Sequence, residues 1–134
     1  MFQFETSVRV RYAETDKMGF VYYGNYATYY EVARVEALRS LGVTYRSMEE
    51  SGIILPVLEN FSKYILPARY DDLIKISLMI RETPGMRIKF DYELFNDENK
   101  LINLGYTILV FVDLKTGRPM EIPAFLQEIL KPFF

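Results

Sequence analysis

The chain has 134 residues, 16 Lys and Arg against 18 Asp and Glu for a net charge of −2, and neither cysteine nor histidine. That length fits one domain, 1–134, and an apolar half suffices for a core. The charge balance excludes a strongly basic nucleic-acid face, and the missing Cys and His exclude disulfides, thiol nucleophiles, Ser-His-Asp and Cys-His catalysis and most zinc sites.

Residues 4–12 alternate, with Phe4, Thr6, Val8 and Val10 on one face and Glu5, Ser7, Arg9 and Arg11 on the other, which predicts a half-buried strand. This start lacks the cationic segment and apolar run of a signal peptide. No stretch reaches about 18 apolar residues, so no membrane span is expected and a cytoplasmic protein is. Residues 13–25, AETDKMGFVYYGN, have no period and read as a loop.

Residues 26–41 predict the main helix. Tyr26, Tyr30, Ala33, Ala37 and Leu41 form its buried stripe, widened by Tyr29 and Leu38. Glu31, Arg34, Glu36 and Arg39 fall away from the stripe as i, i+3 pairs. Asn25 is the expected N-cap and Gly42 the expected stop. A short helix follows over Thr44 to Ser51.

From Ile53 onward the chain reads as strands. Pro56 places residues 53–66 at an edge or a bulge. Ile74, Ile76, Leu78 and Ile80 share one face of residues 73–82. Thr83-Pro84-Gly85-Met86 predicts a type II turn. Ile88, Phe90, Tyr92 and Leu94 point inward from residues 87–95. Residues 96–100, NDENK, form a hairpin loop. Residues 101–113 are expected to bury Ile102, Leu104, Tyr106, Ile108, Val110 and Val112. A turn at 115–119 and a last helix, from Pro123 to near Lys131, complete the chain.

One long helix cannot cover both faces of a five-stranded sheet. The physical solution is an α+β fold in which an antiparallel sheet wraps that helix. The outer face is then either wet or an oligomer surface, and 11 Tyr with 10 Phe favour burying part of it.

The run RVRYAETDKMGFVYYGNYATYYEVARVE at residues 9–36 resembles the 4-hydroxybenzoyl-CoA thioesterase branch of the hotdog-fold acyl-CoA thioesterases. The resemblance rests on Tyr12, Thr15-Asp16, Gly19, Val21-Tyr22-Tyr23, Asn25-Tyr26 and the Tyr30-Glu31…Ala33-Arg34 stretch. Pro67-Ala68-Arg69-Tyr70-Asp71-Asp72 resembles the family's strand-to-strand turn. The resemblance implies a hotdog fold, a dimer with a continuous sheet or a homotetramer, and thioester hydrolysis on coenzyme A or acyl-carrier-protein substrates. No cofactor is implied beyond the coenzyme A of the substrate itself.

Thioester hydrolysis needs an activated water or a carboxylate nucleophile, and donors for the oxyanion. With no histidine, acid–base chemistry must come from Asp, Glu, Lys, Tyr or an oriented water. Asp16 can act as general base or as nucleophile; the competing reading is a turn carboxylate capping a nearby N–H. The backbone amides of Tyr23 and Gly24 lie at the expected helix start, where free N–H groups and the helix dipole stabilise negative charge. The resemblance gives the Tyr23 amide the role of polarising the thioester carbonyl. Gly19 lets the backbone turn close to substrate. Val21, Tyr22, Asn25 and Tyr26 belong to the same motif, and Tyr22, Tyr23 and Tyr26 either line an acyl pocket or pack the core.

Glu31 either orients water or forms a surface pair with Arg34. Arg87 and Lys89 are expected near the coenzyme A phosphates or on a solvated strand face, with Arg69 and Lys63 as weaker candidates. Relatives often carry histidine where this chain has Tyr23. The competing functions are a non-catalytic acyl-binding or scaffold hotdog protein and an acyl-carrier-protein thioesterase. A dehydratase is opposed by the lack of histidine.

Overall fold

A computed structural model describes residues 1–134. Five strands form one antiparallel sheet in the order β1-β4-β5-β6-β3: β1 (Phe2–Arg9), β3 (Val57–Tyr64), β4 (Leu73–Ile80), β5 (Arg87–Phe95) and β6 (Leu101–Val110). A small ladder pairs β2 (Ile53–Ile54) with β7 (Val112–Asp113). Three helices complete the chain: α1 (Asn25–Ser40), α2 (Tyr45–Glu50) and α3 (Ala124–Leu130). The sheet wraps α1, which is the hotdog arrangement. No helix is long and apolar enough to cross a membrane.

The core sits between α1 and the inner face of the sheet. Tyr29, Tyr30, Ala33 and Ala37 of α1 are fully buried against Ile74, Ile76, Leu78, Phe90, Tyr92 and Leu94. The two alanines let the helix approach closely. Gly42 ends α1 with φ +83, and Val43 N–H returns to the Leu38 carbonyl at 2.9 Å. That is the expected glycine stop, in its Schellman form.

Four local expectations are corrected. First, β6 buries Asn103, Gly105, Thr107 and Leu109, along with Ile102, and turns Leu104, Tyr106, Ile108 and Val110 to the outer face. The reason lies on the helix. The Tyr30 hydroxyl donates to Asn103 Oδ1 and lies 2.9 Å from Ser62 Oγ. A Cβ at Gly105 would come within 2.5 Å of that hydroxyl and 2.2 Å of the Phe61 carbonyl.

Second, Arg34 does not pair with Glu31. It is only 6% exposed and donates to the hydroxyls of Tyr92 (3.1 Å), Thr107 (3.3 Å) and Tyr45 (3.4 Å). Glu36–Arg39 does form its ion pair. The buried guanidinium stays charged and is housed by hydroxyls without a carboxylate. Third, Asn25 is not the N-cap. Gly24 holds that position, with no side-chain cap. Fourth, Gly85 lacks the positive φ that a type II turn requires at its position. Its carbonyl accepts from Ile122 N–H at 2.8 Å, so the segment is tied to the C-terminal arm.

β3 is an edge strand with a bulge between Val57 and Glu59. Both features answer to the proline just before it. Its inward side chains are polar: Asn60 accepts from Thr107 Oγ1 at 2.9 Å, and Asn103 Nδ2 donates to Ser62 at 2.8 Å.

Candidate active site

The Asp16 loop is a tight hairpin. Asp16 N–H donates to the Phe20 carbonyl at 2.7 Å and Gly19 N–H to the Asp16 carbonyl at 3.0 Å, below a bridge between Thr15 and Val21. Gly19 has φ +84, a region that L side chains adopt with difficulty. The hairpin rests on the Pro67–Asp72 turn: Val21 N–H meets the Ala68 carbonyl at 2.8 Å, and the Arg69 guanidinium lies over the Phe20 ring.

Within this hairpin the Asp16 carboxylate is half used. Oδ1 accepts from Met18 N–H at 2.9 Å and Phe20 N–H at 3.1 Å. Oδ2 takes no bond within the chain, and no cation lies within ion-pair distance. The turn-capping role and an available oxygen therefore coexist on one side chain.

Glu14 braces the loop against the helix, and the sequence reading did not single it out. Its carbonyl accepts from Tyr22 N–H at 2.9 Å and from Asn25 Nδ2 at 2.8 Å. Its carboxylate accepts from Tyr29 Oη and Arg11 N–H, both at 2.8 Å. Burial and the neighbouring Glu14 carboxylate hold the Tyr29 hydroxyl protonated far above the usual tyrosine range. One residue thus joins both ends of the segment carrying Asp16. Because Tyr22 N–H is consumed, Tyr23 and Gly24 present the first N–H groups at the mouth of α1 without an acceptor in the chain.

Asp16, Val21, Tyr23 and Tyr26 line a common cavity of about 370 Å³ with Met18, Phe20 and the Tyr64–Pro67 segment. The wall is largely apolar and carries four aromatic rings, Phe20, Tyr23, Tyr26 and Tyr64, with Tyr64 packed edge-on against both Tyr23 and Tyr26. Burial pushes the Tyr26 hydroxyl up to about 12, partly offset by a backbone hydrogen bond at Ala68. Tyr26 is therefore a neutral wall residue at ordinary pH.

Other expected residues lie outside this wall. Tyr22 is exposed and leans on the Tyr23 ring. Gly19, Gly24 and Asn25 act through the backbone or through the Glu14 brace. Glu31 is exposed on α1, away from the cavity. Arg87 and Lys89 line a separate polar cleft with Arg81, Glu82 and Asp91, sharing no residue with the Asp16 cavity of the same chain. They extend from the sheet's outer face, so within one chain they do not meet the site.

A profile of the thioesterase-like superfamily matches residues 10–130. The chain belongs to that superfamily. It is 32% identical over 120 residues to the acyl-CoA thioester hydrolase YbgC of Escherichia coli O6:H1, spanning 90% of each chain. It is 33% identical over 126 residues to a chloroplastic acyl-acyl carrier protein thioesterase of Arabidopsis thaliana, covering 92% of this chain and 65% of that one. Among solved structures it superposes on a DHNA-CoA thioesterase from Staphylococcus aureus with a TM-score of 0.93 and 34% identity, covering 99% of this chain and 91% of that one. The superfamily match takes in the whole Asp16 hairpin, α1 and the cavity wall.

Proposed function

We propose that the protein hydrolyses acyl-CoA thioesters, with Asp16 as the acting carboxylate and the Tyr23 and Gly24 amides as the oxyanion site. The observation that carries this reading is the free Oδ2 of Asp16, on a cavity shared with Tyr23 at the start of α1. A binding module has no use for an unpartnered carboxylate there. Similarity to YbgC and to the staphylococcal thioesterase supports the same activity.

In the general-base route, Asp16 takes a proton from water and the resulting hydroxide adds to the thioester carbon. The carbonyl oxygen becomes an oxyanion facing the two amides, the C–S bond breaks, and the coenzyme A thiolate leaves and takes up the proton. In the nucleophilic route, Oδ2 adds to the same carbon and thiolate departs. Water then cleaves the mixed anhydride to regenerate Asp16. One preorganised backbone donor is worth about 10²–10³ in rate. Neither route uses a metal ion or an imidazole.

The aromatic wall and the compact cavity favour small or medium acyl groups, ring-bearing ones among them. An acyl-carrier-protein thioester is the second substrate reading, favoured by the similarity to the Arabidopsis enzyme. The working form is a homo-oligomer: β3 presents a free edge with Val57, Leu58, Phe61 and Tyr64 exposed, next to the open side of the cavity at Ile65 and Leu66.

The test is a panel of aliphatic and aromatic acyl-CoAs, each also presented on acyl carrier protein, with released thiol read by a dye. Turnover of at least one compact acyl-CoA is expected. No thiol release from any member sinks the proposal. Single turnover in ¹⁸O-water then detects the nucleophilic route, because label enters Asp16 only when water attacks the Asp16 carbon of a mixed anhydride.

A further inference from the structure

Tyr29 is fully buried on α1, and its hydroxyl must find a partner there. That partner comes from outside the helix: Tyr29 Oη donates to Glu14 Oε1 at 2.8 Å. The same oxygen accepts from Arg11 N–H at 2.8 Å, just past the end of β1. A carboxylate acceptor makes both bonds charge-assisted, which roughly doubles the strength of a neutral bond. The Glu14 side chain is only 18% exposed, so water competes weakly for them.

Neither Glu14 nor Tyr29 lines the Asp16 cavity, so neither can touch an acyl group held in it. What they fix is a distance. Their bond closes a loop of chain that contains Asp16 at one end and the Tyr23 and Gly24 amides at the other. Glu14 ends a single 3₁₀ turn, Tyr12–Glu14, whose own hydrogen bonding is poor. The peptide whose carbonyl accepts from Tyr22 N–H and Asn25 Nδ2 is therefore held from outside, by the side chain of the same residue. Tyr29 in turn packs edge-on against Tyr26, with ring centroids 5.8 Å apart, and Tyr26 is part of the cavity wall. The carboxylate thus ties the loop to the rigid core and to the wall at once.

We propose that the Glu14 carboxylate and the Tyr29 hydroxyl are a positioning pair for the reaction at Asp16. They set the spacing between Asp16 and the Tyr23 and Gly24 amides and make no contact with substrate. This rests on the reading of the site as a thioesterase. A displacement of about 1 Å between reacting groups lowers the rate ~10²-fold. The pair therefore governs kcat, while KM belongs to the cavity wall.

The experiment measures kcat and KM by thiol release on the best substrate of the acyl-CoA panel, using the full chain. Tyr29→Phe removes one hydroxyl and keeps the buried ring. It is expected to lower kcat ~10-fold or more, with KM within about twofold of wild type. Glu14→Gln keeps an oxygen that accepts both bonds and should retain most of the turnover. Glu14→Ala should match or exceed the Tyr29→Phe loss. In an Asp16→Asn background the Tyr29→Phe loss should vanish, because the spacing to a missing carboxylate no longer matters. Should Tyr29→Phe fail to fold, Glu14→Asp takes its place, being one methylene too short to reach Tyr29.

Wild-type kcat in a folded Tyr29→Phe overturns the proposal. So does a loss carried by KM alone, or one that persists in full in the Asp16→Asn background. A wild type that hydrolyses no acyl-CoA defeats the thioesterase reading instead, and amide hydrogen exchange then reads the pair without turnover. Tyr29→Phe removes no bond from Tyr22 N–H, which donates to the Glu14 carbonyl. Faster exchange at that amide supports the pair, and unchanged exchange overturns it.

Discussion

Asp16 and Phe20 clasp each other twice: the Asp16 amide donates to the Phe20 carbonyl at 2.7 Å, and the Phe20 amide donates to Asp16 Oδ1 at 3.1 Å. One carboxylate oxygen is thereby occupied in shaping the loop, and the other is left over. The two oxygens can be separated by mutation.

Asp16→Asn keeps a carbonyl oxygen for the Met18 and Phe20 amides but removes the charge. Its melting temperature should stay near wild type while turnover falls at least ~10²-fold, in line with loss of a positioned base or nucleophile. Asp16→Ala should lose the same turnover and also about 1–2 kcal/mol of stability, because two loop amides lose their acceptor. Thiol-release kinetics and urea unfolding on both variants check this. Unchanged turnover in Asp16→Asn would remove Asp16 from the mechanism.

Asn25→Ala tests the brace. It removes the Nδ2 bond to the Glu14 carbonyl and leaves every cavity-lining side chain in place. The helix start should shift relative to Asp16, lowering kcat by roughly 10-fold with a smaller change in KM, since a hydrogen bond of this kind contributes about 1 kcal/mol. A variant with wild-type kcat would show that the brace does not set the catalytic spacing.

Gly105→Ala is expected to be disproportionately damaging for a single methyl. The new Cβ meets both the Phe61 carbonyl and the Tyr30 hydroxyl, so the cost should reach about 1–3 kcal/mol. Adding Tyr30→Phe relieves the hydroxyl clash but also strips buried Asn103 Oδ1 of its donor, so the double variant should lose less than the sum of the two single losses. Urea midpoints of the wild type, both single variants and the double variant decide it.

Alkaline pH should unfold the protein through its tyrosines. Burial raises Tyr26, Tyr30 and Tyr92 to about 12 each, against about 10 for an unfolded tyrosine. Below pH 10 the phenols are neutral in both states, so this stabilisation is complete. Above it the unfolded chain ionises first, and stability falls until pH passes about 12. Thermal melts followed with tyrosinate absorbance should show a plateau to pH 10 and a cooperative loss between 10 and 12. Ionisation of all 11 tyrosines in one phase near pH 10, with the fold intact, would contradict the burial.

Much of this was legible in the residues. β1, β4 and β5 obey a clean alternation, and α1 announces itself by tyrosines and alanines on one stripe and a glycine at its end. The motif spacing singles out Asp16, Val21, Tyr23 and Tyr26, which the structure brings to one cavity wall. β6 was misread because Leu104, Tyr106, Ile108 and Val110 outweigh Asn103, Gly105 and Thr107 on any hydrophobic count. The inner face was decided by the Tyr30 hydroxyl and the Arg34 guanidinium arriving from α1, a tertiary effect that alternation does not encode. Arg34 itself was assigned to water because a charged side chain on a helix usually goes there. Glu14 escaped notice because half of its role is carried by its carbonyl, which every residue has.

The Glu14 brace has an evolutionary consequence. It holds Asp16 and the mouth of α1 together within residues 14–25, whereas much of the remaining wall of the cavity comes from Tyr64–Pro67, at the end of β3. Drift at Tyr64, Ile65 or Leu66 can reshape what the enzyme accepts while the spacing between Asp16 and the mouth of α1 is inherited intact. A lineage built this way can trade one acyl group for another without passing through an inactive ancestor.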